Sequence, residues 1–186
     1  MKNLILCAIL IFGGLTVNAQ EMAVTGGMQT TDVDTDMSGV DLSSGTGFYG
    51  GVLGFIEAGD GNYFRSGALI SMRSFESNLA GGITYKAELT GIDIPLTYLM
   101  MFSENAGVYG GLKLGLNVSE GCSVSGSSLP CIDPDATGMY YSASVGGHFR
   151  FVPNFGVEVE FNLGLSEIAD DVDYKSSLAA GLVYLF

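Results

Sequence analysis

After its first 20 residues the chain has no long apolar run. A membrane-crossing helix needs about 20 consecutive apolar residues, so none is predicted there. Charge is also scarce. Only 15% of the 186 residues are Asp, Glu, Lys or Arg, where an ordinary soluble domain is nearer a quarter charged. Tryptophan is absent, while glycine is abundant at 28 residues, and the mean hydropathy is +0.37. A chain this apolar with no helical span points to the other structure a bilayer allows, a closed β-barrel.

Basic residues are few: 7 Lys and Arg against 20 Asp and Glu. The N-terminus reads as a secretory signal, with Lys2 as its positive start, an apolar stretch from Leu4 to Leu15 and Val17-Asn18-Ala19 as the cleavage site. Cleavage after Ala19 leaves residues 20–186 as the barrel domain. It also removes Lys2, so 6 basic residues face 20 acidic ones, a net charge of −14. Phosphate binding needs a basic face, so nucleic acid is excluded as a partner.

Cysteines and histidine are equally sparse. Cys7 lies within the signal. Cys122 and Cys131 flank Ser-Val-Ser-Gly-Ser-Ser-Leu-Pro, a segment flexible enough to bring them together, and export to an oxidising compartment makes a disulfide plausible. With no second Cys pair and no His nearby, nothing there resembles a zinc site, and no cofactor is expected. His148 is the only histidine. A serine hydrolase on such a barrel wants a Ser two residues further along the same strand face, and Arg150 stands there. No catalytic residue is assigned and no enzyme is expected.

What is present is periodic. Eight β-type segments run at about 21–31, 47–57, 62–74, 88–102, 107–118, 138–151, 155–166 and 175–186. Each is long enough for a tilted strand to cross a bilayer. The connections alternate long and short: 32–46, 75–87, 119–137 and 167–174 against Ala58-Gly59-Asp60-Gly61, Ser103-Glu104-Asn105-Ala106 and Val152-Pro153-Asn154. Short periplasmic turns and long external loops are the habit of outer-membrane barrels. The predicted fold is therefore an eight-stranded antiparallel up-and-down transmembrane barrel with both termini periplasmic.

Period-two patterning separates two faces. In strand six Met139, Tyr141, Ala143, Val145, Phe149 and Phe151 oppose Tyr140, Ser142, Ser144, His148 and Arg150. In strand seven Phe155, Val157, Val159, Phe161, Leu163 and Leu165 oppose Glu158, Glu160, Asn162 and Ser166. Parity alone leaves open a soluble lipocalin-like barrel with its apolar face inside. Such a protein needs a Lys- and Glu-rich outer face, and here the polar face is mostly Gly, Ser, Asn and Tyr. The apolar face is therefore assigned to lipid. Arg65, Arg73, Lys113, His148, Arg150, Glu158 and Glu160 then point into the lumen as an ion network, with His148 opposite Glu158. An eight-stranded barrel is about wide enough to be filled by its own side chains, so the network is read as structural, with a proton or solute path as the lesser reading.

Several segments resemble the PorT-like outer membrane protein β-barrel domain family: Gly47-Phe48-Tyr49-Gly50-Gly51, Gly91-Ile92-Asp93-Ile94-Pro95-Leu96, Val108-Tyr109-Gly110-Gly111-Leu112-Lys113-Leu114-Gly115 and the terminal Ala179-Ala180-Gly181-Leu182-Val183-Tyr184-Leu185-Phe186. The resemblance implies a small membrane barrel without assigned catalysis. It also implies that Tyr184 and Phe186 form the signal read by the barrel-insertion machinery.

Loop one carries Asp32, Asp34 and Asp36, carboxylates that could ligate calcium. They do not form an EF-hand, because Met37 and Ser43 occupy the positions of its glycine and terminal glutamate. The sharper reading of these acidic loops is divalent cations shared with lipopolysaccharide. The functional expectation is a monomeric structural or interaction barrel acting through its loops on outer-membrane lipid, lipopolysaccharide or a surface protein. The alternatives are an accessory role in secretion or adhesion and, third, a lipid-modifying enzyme or narrow channel.

Overall fold

The computed structural model describes residues 21–35, 42–79, 83–125, 136–169 and 172–186. The expected signal, residues 1–19, lies outside them. Nine strands form one sheet: β1 Glu21–Thr35, β2 Leu42–Gly59, β3 Asn62–Leu79, β4 Ile83–Met101, β5 Ala106–Ser125, β6 Met139–Val152, β7 Phe155–Gly164, β8 Glu167–Ala169 and β9 Val172–Leu185. Each long strand pairs antiparallel with the next, and β1 closes the cylinder against β9, with Ala23 opposite Leu185 and Gln29 opposite Ala179. The short β8 continues β7 past a break at Leu165-Ser166 and pairs with the start of β9. The eight staves of the predicted barrel are therefore present. The segment 167–174, expected as loop, instead holds β8 and the first residues of β9.

The three short connections fall where expected. Between β2 and β3, Gly59, Asp60 and Gly61 all have positive φ (96°, 53° and 75°), a conformation glycine adopts freely and Asp tolerates. The β4–β5 turn is fastened by the Ser103 hydroxyl, which accepts from the Ala106 N–H at 3.0 Å. The β6–β7 turn is tied to the C-terminus, where Asn154 exchanges two 2.8 Å hydrogen bonds with the backbone of Leu185. The Phe186 N–H donates to the Met22 carbonyl at 2.9 Å, sealing the last strand to the first.

At the loop end the strands outrun the sequence expectation. β1 continues to Thr35, β3 to Leu79 and β5 to Ser125, and β2 and β4 begin early at Leu42 and Ile83. The reason is a reversal of polarity. Along the middle of the barrel the outward residues Val52, Ile70, Leu112, Val145 and Val159 are apolar and exposed, as a lipid-facing belt requires. Beyond it Val33, Phe75, Ala87 and Leu89 face inward and are buried, joined by Ile168, Val172 and Tyr174 in an apolar core. Asp34, Glu88 and Lys175 point outward to water. A search for apolar outer faces stops at the belt, although the hydrogen-bonded ladder does not.

Candidate functional site: the charged lumen

The lumen is organised by two tyrosines lying on two glycines. Gly115 of β5 is opposite Tyr140 of β6, and Gly146 of β6 is opposite Tyr109 of β5. A Cβ added at Gly115 falls 1.9 Å from the Tyr140 ring, and one at Gly146 falls 2.3 Å from the Tyr109 ring. Only glycine lets each ring lie flat against the wall and send its hydroxyl across the barrel.

Tyr109 marks the first group of charges. The Arg65 guanidinium sits 4.2 Å above its ring centroid, an arrangement favoured by the ring quadrupole. Arg65 Nη2 bonds Glu158 Oε2 at 2.7 Å, and its Nη1 lies 3.9 Å from Glu160. Lys113 also holds Glu160. Glu158 uses its second oxygen on His148 Nδ1 at 3.0 Å, in the cross-strand register expected of this pair. Arg150 Nε donates to His148 Nε2 at 3.2 Å. A guanidinium only donates, so Nε2 must accept and the imidazole proton sits on Nδ1, directed at Glu158. Arg150 Nη2 then reaches Glu21 Oε2 at 3.2 Å.

Tyr140 marks the second group, towards the loop end. Arg73 Nη2 bonds Asp93 Oδ2 at 2.5 Å and its Nη1 bonds Ser71 Oγ at 2.7 Å. The Tyr140 hydroxyl accepts from Arg73 and donates to Asp93 Oδ1 at 2.5 Å. A polar ladder leads from the first group to the Tyr174 ring, which meets Tyr140 edge-on. Asn162 donates to Glu160 at 3.0 Å and to Ser177 Oγ at 3.1 Å, and Tyr174 donates to Ser177 at 2.7 Å.

All seven residues expected in the lumen network thus lie inside, six of them in one connected group and Arg73 in the second. Sequence reasoning left Asp93 and Glu21 out of the network and placed Tyr140 on the inward face without giving it a part there. Asp93 carried a signal: a lone carboxylate in Ile92-Asp93-Ile94 on a membrane strand has nowhere to go but inward. With Asp93 and Glu21 added, the cations Arg65, Arg73, Lys113 and Arg150 meet the carboxylates Glu21, Asp93, Glu158 and Glu160 one for one. That balance matters, because each ion taken from water costs several kcal/mol unless paired.

Little space is left. The hollow among Gln29, Tyr49, Arg65, Tyr109, Lys113 and Glu160 measures about 10 Å³, roughly the room one water needs. At the short-turn end Leu53, Phe55, Leu99, Val183 and Leu185 fill the interior, and at the loop end the Val33–Phe75–Ile168 core does so.

The remaining expected sites lie outside the lumen. Tyr184 and Phe186 face outward in a row of aromatic contacts, Phe155–Tyr184 at 4.8 Å and Tyr184–Phe186 at 6.4 Å between ring centroids. Cys122 is on the loop-end part of β5, and Cys131 lies outside the described residues. Asp32 and Asp34 are on the outer face of β1 instead of in a loop, and Asp36 lies outside the described residues. Asp32 accepts from Ser44 at 3.1 Å. Asp34 pairs with Lys175 at 2.9 Å, and this bond holds its carboxyl below the usual carboxylate range. Among the described residues, no three His, Cys, Asp or Glu side chains gather as a metal site.

The sequence matches the family described as outer membrane protein beta-barrel domain over residues 4–186. The chain belongs to this family. No curated protein matches it significantly. Solved structures that share its fold are small outer-membrane barrels. Neisserial surface protein A is 15% identical with a TM-score of 0.54 and covers 89% of this chain and 97% of its own. OprG from Pseudomonas aeruginosa is 14% identical at 0.53, covering 91% and 97%. Ail, the attachment invasion locus protein of Yersinia pestis, in complex with the heparin analogue sucrose octasulfate, is 15% identical at 0.53, covering 89% and 98%. The family and this fold place the barrel in the outer membrane.

Proposed function

We propose that this outer-membrane barrel acts through its loop end and that its lumen is a structural ion network with no conducting path. The observation that carries this reading is the filled interior: balanced charges, a hollow of about 10 Å³ and apolar packing at both ends. Both nitrogens of His148 are occupied, by Glu158 and Arg150, so the imidazole activates no nucleophile, which supports a non-enzymatic role.

The partner surface is acidic. Asp32, Asp34 and Asp173 are exposed at the loop end, where Lys175 is bonded to a carboxylate. A polyanion such as the sulfated sugar bound to Ail does not suit such a surface. Lipopolysaccharide held through divalent cations, or a basic patch on a surface protein, does. The same reading includes cleavage after Ala19, a Cys122–Cys131 disulfide, calcium at Asp32, Asp34 and Asp36, and Tyr184 with Phe186 as the insertion signal. The narrower PorT-like likeness of residues 91–96 favours an accessory role in the envelope as the second reading.

The test is exchange of function between ends. Replacing the external segments with those of an unrelated barrel abolishes the cellular phenotype of a deletion strain's complementation, whereas Glu158→Gln in a folded barrel leaves it intact. The opposite pattern contradicts the proposal.

A further inference from the structure

Where the lipid-facing belt meets the external extension, the wall has a defect. β2 pairs with β3 at Ser44↔Phe75 and next at Phe48↔Met72, so residues 45–47 of β2 leave that ladder. Gly45 and Gly47 press against the carbonyls of Ser74 and Met72, where an added Cβ sits 1.8 Å away. The Ser74 hydroxyl bridges the gap to the Thr46 carbonyl at 2.7 Å. The result is a hollow of about 160 Å³ on the outer side of β2, β3 and β4. Its lower rim is Phe48 and Met72, both more than half exposed. Its upper rim is Thr46, Thr90 and the exposed pair Lys86–Glu88, joined at 2.8 Å.

We propose that this hollow is a binding site for one outer-leaflet glycolipid, its acyl chain against Phe48 and Met72 and its sugar phosphate on Lys86. The apolar rim is continuous with the face the barrel shows to lipid. The long-loop end is the outer side of such barrels, which makes the adjoining lipid a phosphorylated sugar lipid. The threonine hydroxyls offer hydrogen bonds that suit a sugar better than a glycerol headgroup. Lys86 has three N–H donors and Glu88 takes one of them. Glu88 also keeps Lys86 protonated, raising its pKa. Of the two cations lining the hollow, Arg73 is buried with its guanidinium on Asp93 and Ser71, which leaves Lys86 for a phosphate, and Glu88 competes with a phosphate for it. Lys86 and Glu88 therefore act with opposite signs.

This inference rests on the outer-membrane reading, and the experiment separates the two. Purified barrel is refolded in vesicles of phosphatidylglycerol with diphosphorylated lipid A as the probe. Retained lipid A is counted by native mass spectrometry, and heat-modifiable gel migration reports folding independently. The wild type retains one lipid A. Lys86→Gln weakens retention about tenfold, equivalent to about 1.4 kcal/mol, and Glu88→Gln strengthens it, both with unchanged gel migration. Lipid A stripped of phosphate binds wild type and K86Q equally. Four results overturn the site: equal retention by K86Q and wild type; phosphatidylglycerol displacing lipid A at equal concentration; loss of retention in E88Q with rescue by magnesium, which makes the contact a cation bridge; and no retention by a correctly migrating wild type. Failure of the wild type to insert at all overturns the outer-membrane reading as well.

Discussion

The middle of the barrel and its loop-end extension are built from the same strands with opposite polarity. In the middle the outward residues Val145, Val159 and Leu182 are apolar and the inward residues Arg65, Glu158 and Glu160 are charged. In the extension the outward residues Asp34 and Lys175 are charged and the inward residues Val33, Phe75 and Leu89 are apolar. One ladder of hydrogen bonds thus serves two solvents. The middle faces lipid, gains nothing from hiding apolar groups, and owes its inner order to paired charges. The extension faces water and folds around a hydrophobic core.

The comparison predicts a graded set of effects. The largest is in the middle. Asp93→Leu leaves the Arg73 guanidinium buried without its carboxylate, and breaking such a pair costs about 3–5 kcal/mol. Urea unfolding in vesicles should show the loss, and the double variant Arg73→Met, Asp93→Leu should recover most of it. If the single variant is neutral, the charges in the middle are not interdependent.

Next comes the extension. Phe75→Ala removes a core ring, a change that typically costs about 3–5 kcal/mol in a packed interior. Here the loss is confined, because the ladder below is held by lipid and closure. Hydrogen exchange should accelerate for β3 residues 74–79 and β4 residues 83–89, with amides around Glu158 unchanged. Uniform acceleration would mean that the two regions are one cooperative unit.

A smaller effect is expected where the regions meet. Gly115→Ala places a methyl into the Tyr140 ring and should cost about 1–3 kcal/mol, as overpacking does. Tyr140→Phe keeps the ring but removes its bonds to Arg73 and Asp93. A smaller loss for G115A than for Y140F would show that the hydroxyl matters more than the ring's seat.

The smallest effect is on the outside. Asp34 and Lys175 lie on the exposed outer face, where an ion pair contributes little, so Asp34→Asn should leave the unfolding midpoint unchanged. The Asp34 carboxyl titrates below its unfolded value, so the pair's contribution is present above the ordinary carboxylate pKa and lost as pH falls through the lowered one. NMR titration of the Lys175 side chain should follow that loss, and added salt should reduce it.

Much of the middle was legible in the sequence because lipid imposes a strict period. Met139 to Phe151 and Phe155 to Leu165 alternate visibly, and the spacing across Val152-Pro153-Asn154 already set His148 against Glu158. The extension was not, because its apolar positions point the other way and are too few to form a pattern: Val33 stands among three aspartates. Contacts across the barrel were also hidden. Glu21 meets Arg150 from 129 residues away, and Tyr140 reaches Arg73 only because Gly115 yields it the space. Such pairings follow from closure and register, which no local window contains.

Planar-bilayer recording of the folded barrel tests the closed lumen most directly. The filled interior predicts no steady conductance in the wild type, and none when Arg65, Lys113, Glu158 and Glu160 are replaced by alanine, because the apolar packing at both ends stays in place. A steady, voltage-independent open level in the wild type would contradict the account.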